Sequence, residues 1–312
     1  MPLQHIVAVD QFRRADLETI FGHADLMRSL PRSEKRLDGQ ILATLFYEPS
    51  TRTRLSFESA MQRLGGGVIS TENAREFSSA IKGETVEDTI RIVNGYADAI
   101  VIRHHEQGAA VRAAAVSGVP VLNAGDGPGE HPTQALLDLY TIGHELGRID
   151  DLKIALVGDL KYGRTARSLA LLLRETTGAE ITFVNPPTAP MGDDIRVALD
   201  AAGVVHREEP NLDSVLGEVD VVYQTRIQKE RFESTADYEA AKGAYVIDRA
   251  SMAAMRSKSI LLHPLPRVDE IATDVDSDPR AAYFRQAHNG VYIRMALLDL
   301  VINPANGETG AA

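Results

Sequence analysis

Short apolar runs alternate with amphipathic stretches along most of the chain. Ile41-Leu42-Ala43-Thr44-Leu45-Phe46-Tyr47 reads as a buried strand. Phe57, Ala60, Met61 and Leu64 then recur at i, i+3, i+4 and i+7, the stripe of an amphipathic helix that Gly65-Gly66-Gly67 stops. A helical lead-in over 8–31 precedes this pair, and a strand at 68–70 completes a β-α-β unit. The pattern continues with a helix over 84–96, strands at 97–103 and 119–123, and a helix over 135–146. His131-Pro132-Thr133-Gln134 opens that last helix, with Pro132 fixing its first turn. A break falls at Gly147–Asp151. Beyond it, strands are predicted at 153–157, 181–184, 204–205, 219–224, 245–247 and 260–262. The helices there are predicted over 166–175, 191–202, 211–216 and 291–301. Strands alternating with helices predict parallel sheets. Two such series predict an α/β protein of two doubly wound parallel-sheet domains, 1–148 and 149–285.

Polar and mostly basic residues follow the carboxyl ends of the predicted strands. They are Ser50–Arg54, Arg103, His131 with Gln134, Arg164 with Thr165, Arg226 with Gln228, and His263–Pro266. That edge of an open parallel sheet is where ligands bind. The densest group, Glu48-Pro49-Ser50-Thr51-Arg52-Thr53-Arg54, is a loop entering a helix N-terminus. Free backbone N–H groups and the helix dipole suit an anion there. A plain Ser or Thr N-cap with two solvated arginines is the alternative reading. Residues 71–84 form a long polar loop of the kind that is often functional. It mounts Lys82 beside Gly83, and a merely solvated lysine stays open.

Composition narrows the classes. The 312 residues allow two domains with cores of their own, and 44% apolar with 25% charged content is ordinary for a globular protein. The net charge of −11 argues against nucleic acid and anionic membranes as partners. The absence of cysteine removes disulfides, thiolate nucleophiles and cysteine metal sites. Met1–Asp10 lacks the pattern of a secretory signal, and no apolar run reaches the ~20 residues that span a bilayer. The expected setting is cytoplasmic.

The motifs resemble the aspartate/ornithine carbamoyltransferase family over essentially the whole length. The match is carried by Phe46–Arg54, Lys82-Gly83-Glu84, Val101–His104, Asn123–Gly127, His131–Gln134, Val157–Leu160 with Gly163-Arg164-Thr165, Thr225–Gln228 and His263–Arg267. The resemblance implies a carbamoyltransferase-type fold with the active site between the domains and a C-terminal helix, about 286–305, joined to the first domain. It implies transfer of a carbamoyl group from carbamoyl phosphate to L-aspartate, the second step of de novo pyrimidine synthesis. Ser50, Thr51, Arg52 and Thr53 would hold the phosphate, and Arg103 would bridge phosphate and carbonyl oxygen. Thr53, Arg103 and His131 would polarise that oxygen, with Arg52 counted among the catalytic group. Gln134 and the carbonyls of Pro264 and Leu265 would receive the carbamoyl NH₂. Lys82, Arg164, Thr165, Arg226 and Gln228 would bind aspartate, and Arg54 would support the loop. Ser78 and Lys82 match residues supplied by a neighbouring subunit, which implies a homotrimer. Glu48 would bridge to Arg164 and Arg231 and latch the domains. No cofactor and no metal are implied. The 71–81 loop looks closer to the UMP-responsive plant type, which does not call for a separate regulatory chain.

Three rivals make distinct demands. Ornithine carbamoyltransferase should lack a second carboxylate-binding arginine and read His-Cys-Leu-Pro where this chain has His263-Pro264-Leu265-Pro266. A dinucleotide-dependent oxidoreductase needs G-x-G-x-x-G, which Gly158 and Gly163 do not make. A non-catalytic relative should have lost site residues, and every position matched to the family is present here.

Overall fold

The computed structural model describes residues 3–74, 83–227, 234, 243 and 245–304. The chain forms two compact units, Met1–Leu136 with His288–Ala312, and Leu137–Ala287. The first holds α1 (Arg14–Ser29), β1 (Ile41–Phe46), α2 (Thr51–Arg63), β2 (Gly67–Glu72), α3 (Val86–Val93), β3 (Ala99–His104), α4 (Ala109–Val116), β4 (Val121–Asp126) and the start of α5 (Pro132–Leu146). Its four strands are parallel in the order β2-β1-β3-β4, so the strand order reverses between β1 and β3. Thr44 pairs with Ser70 on one side and Val101 on the other. β1 and β3 are buried almost throughout, as strands covered on both faces must be. Ala43, Leu45, Ile90, Ile100, Ile102 and Val121 share one core.

The second unit holds β5 (Lys153–Val157), α6 (Arg164–Leu172), β6 (Glu180–Val184), α7 (Asp193–Ala201), β7 (Val205–Glu208), α8 (Leu212–Leu216), β8 (Val221–Gln224), α9 (Arg249–Ala254), β9 (Ile260–Leu262) and the start of α10 (Tyr283–Ile302). Its parallel order is β7-β6-β5-β8-β9, with the reversal between β5 and β8. Val157, Val184, Val222, Leu261 and Tyr283 pack in its core. No described helix is long and apolar enough to cross a membrane.

The structure departs from the sequence pattern in particular places. The compact units part inside α5, ahead of the expected 148/149 break. Asp138 on α5 accepts hydrogen bonds from Tyr223 and Gln286, which ties the later turns of α5 to the second unit. α10 begins at Tyr283, well before the expected 291. Its last turns return to the first unit, where the buried Asp299 accepts from His23 Nε2 at 2.7 Å and Arg36 Nε at 2.8 Å. Burial alone would raise the Asp299 carboxyl pKa, but those two partners outweigh it and lower the value. The 245–247 run is not a strand: Ile247 makes one isolated parallel bridge to Ile271. α4, built from Ala-Ala-Val-Arg-Ala-Ala-Ala-Val, has no large apolar stripe for the eye to follow and is absent from the sequence reading.

Candidate active site

In the first unit the functional side chains gather where the strand order reverses. The chain leaves β1 through Tyr47-Glu48-Pro49 and enters α2 with Ser50 at the N-cap. The Ser50 side chain makes no capping hydrogen bond, so the plain-cap reading fails. Its hydroxyl and the N–H groups of the first helical turn stand at the positive end of the dipole. Thr51 and Arg52 are exposed and Thr53 is buried. Although Arg52 is exposed, partial desolvation still lowers its pKa. Arg54 points elsewhere. It meets Glu72 on β2 at 2.9 Å, Ser70 at 3.3 Å and Glu58 at 3.6 Å, fastening α2 to the sheet.

Arg103 leaves the end of β3, next to β1. It donates to the Ala124 carbonyl at 3.1 Å and lies 3.5 Å from the Glu48 carboxylate. Its neighbour His104 is buried against Tyr47 and His105, and its Nδ1 accepts the Glu106 N–H at 3.0 Å. Burial first, then the charge of His105, depresses the His104 pKa to about 4, so this imidazole is neutral beside the arginine. After β4, Asp126 organises the Gly-rich turn: it accepts from Gly108 N at 2.7 Å and Glu130 N at 2.8 Å. The turn delivers His131 and Gln134 to the start of α5, both buried, with His131 Nδ1 3.5 Å from the Thr133 hydroxyl.

The second unit repeats the device at its own reversal. Gly158 ends β5 with φ +113°, and a Cβ there would sit 2.5 Å from the Thr225 carbonyl oxygen after β8. Only glycine lets these two strand ends approach so closely. Thr225 Oγ1 donates to the Val157 carbonyl at 2.8 Å, fixing the exit that carries Arg226. Asp159 accepts the Tyr162 N–H at 2.9 Å and shapes the loop into α6. Arg164, expected in a loop, is the first residue of α6 and is largely buried. Thr165, expected to touch aspartate, follows Arg164 in the first turn of α6 and lies near the Tyr223 hydroxyl.

Past β9, His263 Nδ1 accepts the Leu265 N–H at 2.7 Å, so its proton resides on Nε2, facing Glu270 Oε1 at 2.7 Å. Burial pushes the Glu270 carboxyl up, but the His263 contact and backbone N–H donors outweigh it and lower the pKa. Leu265 is held at φ +57°, an unusual value for a branched residue, between Pro264 and Pro266. Its N–H is spent on His263, and its carbonyl and that of Pro264 accept no backbone hydrogen bond among the described residues.

Arg103 therefore stands near the end of its strand, and Ser50, Thr53, His131 and Gln134 stand past strand ends of the same sheet. Arg164, Arg226, Pro264 and Leu265 stand past strand ends of the other. Ser78, Lys82, Gln228 and Arg231 lie outside the described residues. The sequence reading passed over Asp138, Tyr223, Glu270 and Gln286. Asp138 had a usable signal: it lies four residues after Gln134, on the same face of α5. No cluster of three or more candidate metal ligands occurs among the described residues.

Comparison with known proteins follows the same division. A family model described as aspartate/ornithine carbamoyltransferase, carbamoyl-P binding domain, matches residues 4–144. Its companion, the Asp/Orn binding domain, matches 150–301. The chloroplastic aspartate carbamoyltransferase of Arabidopsis thaliana is 58% identical over 304 residues, covering 96% of this chain and 78% of that protein. Among solved structures, the catalytic subunit of M. jannaschii aspartate transcarbamoylase superimposes with a TM-score of 0.90 at 48% identity, covering 97% of this chain and 99% of that one. The Trypanosoma cruzi aspartate transcarbamoylase bound to N-(phosphonacetyl)-L-aspartic acid gives 0.89 at 44% identity, covering 96% and 95%. These names correct the expected cytoplasmic setting: the matching proteins of Arabidopsis, pea and rice are named chloroplastic.

Proposed function

Because the chain belongs to the aspartate/ornithine carbamoyltransferase family, we propose that it transfers the carbamoyl group of carbamoyl phosphate to the amine of L-aspartate. The products are N-carbamoyl-L-aspartate and phosphate. The observation that carries this reading is the uncommitted Ser50 hydroxyl at the start of α2, with Arg103 leaving the adjacent strand β3. That pairing suits a phosphate joined to a carbonyl.

The aspartate amine attacks the carbamoyl carbon, a C–N bond forms, and the C–O bond to phosphate breaks. Ser50, Thr51, Arg52 and Thr53 grip the leaving phosphate. Thr53, Arg103 and His131 stabilise the carbonyl oxygen as it gains charge. The carbamoyl NH₂ donates to Gln134 and to the Pro264 and Leu265 carbonyls. Arg164 and Arg226 take the aspartate carboxylates through the guanidinium fork, with Gln228 beside them. Thr165 stands beside Arg164 in this group. The leaving phosphate accepts the amine proton, so no covalent nucleophile is needed and the rate comes from positioning and charge. The trimer implied by the family resemblance, with Ser78 and Lys82 reaching a neighbour's site, is part of this proposal. So are the domain limits and the role of Glu48.

Relatives solved with carbamoyl phosphate, and with carbamoyl aspartate and phosphate, support this assignment of substrates. Purified chain should carbamoylate aspartate and leave ornithine untouched; the reverse outcome would replace the proposal with the ornithine activity. Mixing inactive Lys82→Ala with inactive Arg52→Ala protein should restore partial activity if sites are shared. No recovery on mixing counts against the shared trimer.

A further inference from the structure

Inside the second unit runs a line of polar contacts that connects two candidate substrate-binding elements. Thr165, next to Arg164, lies near the Tyr223 hydroxyl and acts on it against the burial that raises its pKa. Tyr223 donates to Asp138 Oδ2 at 2.7 Å. Asp138 Oδ1 accepts from Gln286 Nε2 at 2.6 Å, and Gln286 Oε1 accepts the His263 backbone N–H at 2.8 Å. The His263 ring then accepts the Leu265 N–H. Tyr223 and Asp138 are 0% exposed, Gln286 1% and His263 2%, so water does not compete for these links.

Each link has one polarity. Both Asp138 oxygens accept, so Gln286 must turn its NH₂ to Asp138 and its oxygen to His263. That orientation holds the backbone of the residue whose ring in turn holds Leu265. A fully buried carboxylate is a costly way to fill space, because apolar residues of the same volume do it at least as well. What the polar line adds is fixed geometry between two distant segments. Asp138 and Gln286 are separated by 148 positions in sequence, and Asp138 and Tyr223 by 85.

We propose that Tyr223, Asp138 and Gln286 are positioning residues that tie the start of α6, bearing Arg164, to the His263–Leu265 turn. Gripping an aspartate carboxylate at Arg164 and aiming the Pro264 and Leu265 carbonyls at the carbamoyl NH₂ are then set together. The inference rests on the function proposed above and deepens it.

The test uses the full chain as Tyr223→Phe, Gln286→Met, Thr165→Val and the Tyr223→Phe/Gln286→Met double variant. Steady-state kinetics are combined with hydrogen exchange of the Leu265 amide. Each single variant should lower kcat roughly 10–100-fold, as small misplacements of bound groups do. Gln286→Met should also raise the KM for aspartate, although Gln286 is not beside Arg164. The double variant should be no worse than the poorer single, because the line is already broken once. Kinetic constants within twofold of wild type, with only thermal stability reduced, would overturn the proposal; so would single effects that simply multiply. Thr165→Val removes one methyl-sized hydroxyl at the end of the line and keeps the test available if a core variant fails to fold. Leu265 exchange needs no substrate and separates this idea from the function. Faster exchange in Tyr223→Phe supports the link even if wild type fails to carbamoylate aspartate, and unchanged exchange refutes it.

Discussion

Arg52 and Arg54 lie two residues apart at the start of one helix, and their replacement should have opposite consequences. Arg54→Met keeps most of the aliphatic stem and removes the guanidinium. Glu72 loses a partner at 2.9 Å and Ser70 one at 3.3 Å. Glu58 keeps the Ser70 and Thr44 hydroxyls at 2.6 and 3.1 Å but loses its nearby cation. The side chains of Arg54, Glu58 and Glu72 are 24%, 17% and 33% exposed. Exposed pairs contribute up to about 1 kcal/mol, and breaking a buried one costs about 3–5 kcal/mol. A half-buried cluster falls between, so Arg54→Met should cost about 1–3 kcal/mol. Arg52→Met should change stability by less than about 0.5 kcal/mol, because the residue is exposed. Turnover should instead fall roughly 10²–10³-fold with the loss of a preorganised charge on the phosphate. Urea-unfolding midpoints beside a carbamoyl-transfer assay measure both quantities on both variants. If Arg54→Met is inactive yet fully stable, or Arg52→Met unfolds early and stays active, the assignment of the two arginines is reversed.

Other outcomes follow from the same geometry. The depressed Glu270 carboxyl adds stability that is present above its ordinary value of 4.5 and lost as pH falls through the folded value. The gap in urea midpoint between wild type and Glu270→Gln should therefore hold at neutral pH and close in acid below that value, and a pH-independent gap would contradict the pairing with His263. The His104 ring should titrate by NMR near its depressed pKa of about 4; a midpoint at the ordinary 6.5 would mean the ring is solvated. Because this lowered value favours the neutral ring in the fold, His104 costs stability progressively as pH drops from 6.5 towards 4. Gly158→Ala should cost about 2–4 kcal/mol from strain at positive φ and the clash with Thr225, and should raise the aspartate KM through the displaced Arg226 exit. An unchanged thermal midpoint would show that the two strand ends can part.

What was legible in the sequence was whatever a strand or helix writes locally. β1, β5 and β9 are apolar runs bounded by turn residues, and the polar residues after them are placed by the rule that ligands meet the carboxyl ends of parallel strands. Ser50 and Arg103 could thus be singled out although 53 residues separate them. α4 escaped because alanine gives a helix no visible face. The line through Asp138 escaped because no local pattern announces a contact across 148 positions. The surroundings of Thr165 were hidden for a related reason. Nothing in the residues around Arg164 announces the buried Tyr223 near them.

The return of α10 to the first unit has a consequence for how the chain is made. The second unit is one uninterrupted stretch, whereas the first is finished only by residues from His288 onward. During synthesis from the N-terminus, the nested unit can close while its host still waits for Asp299 to reach His23 and Arg36. The host must therefore persist without its closing helix for the time it takes to translate an entire guest.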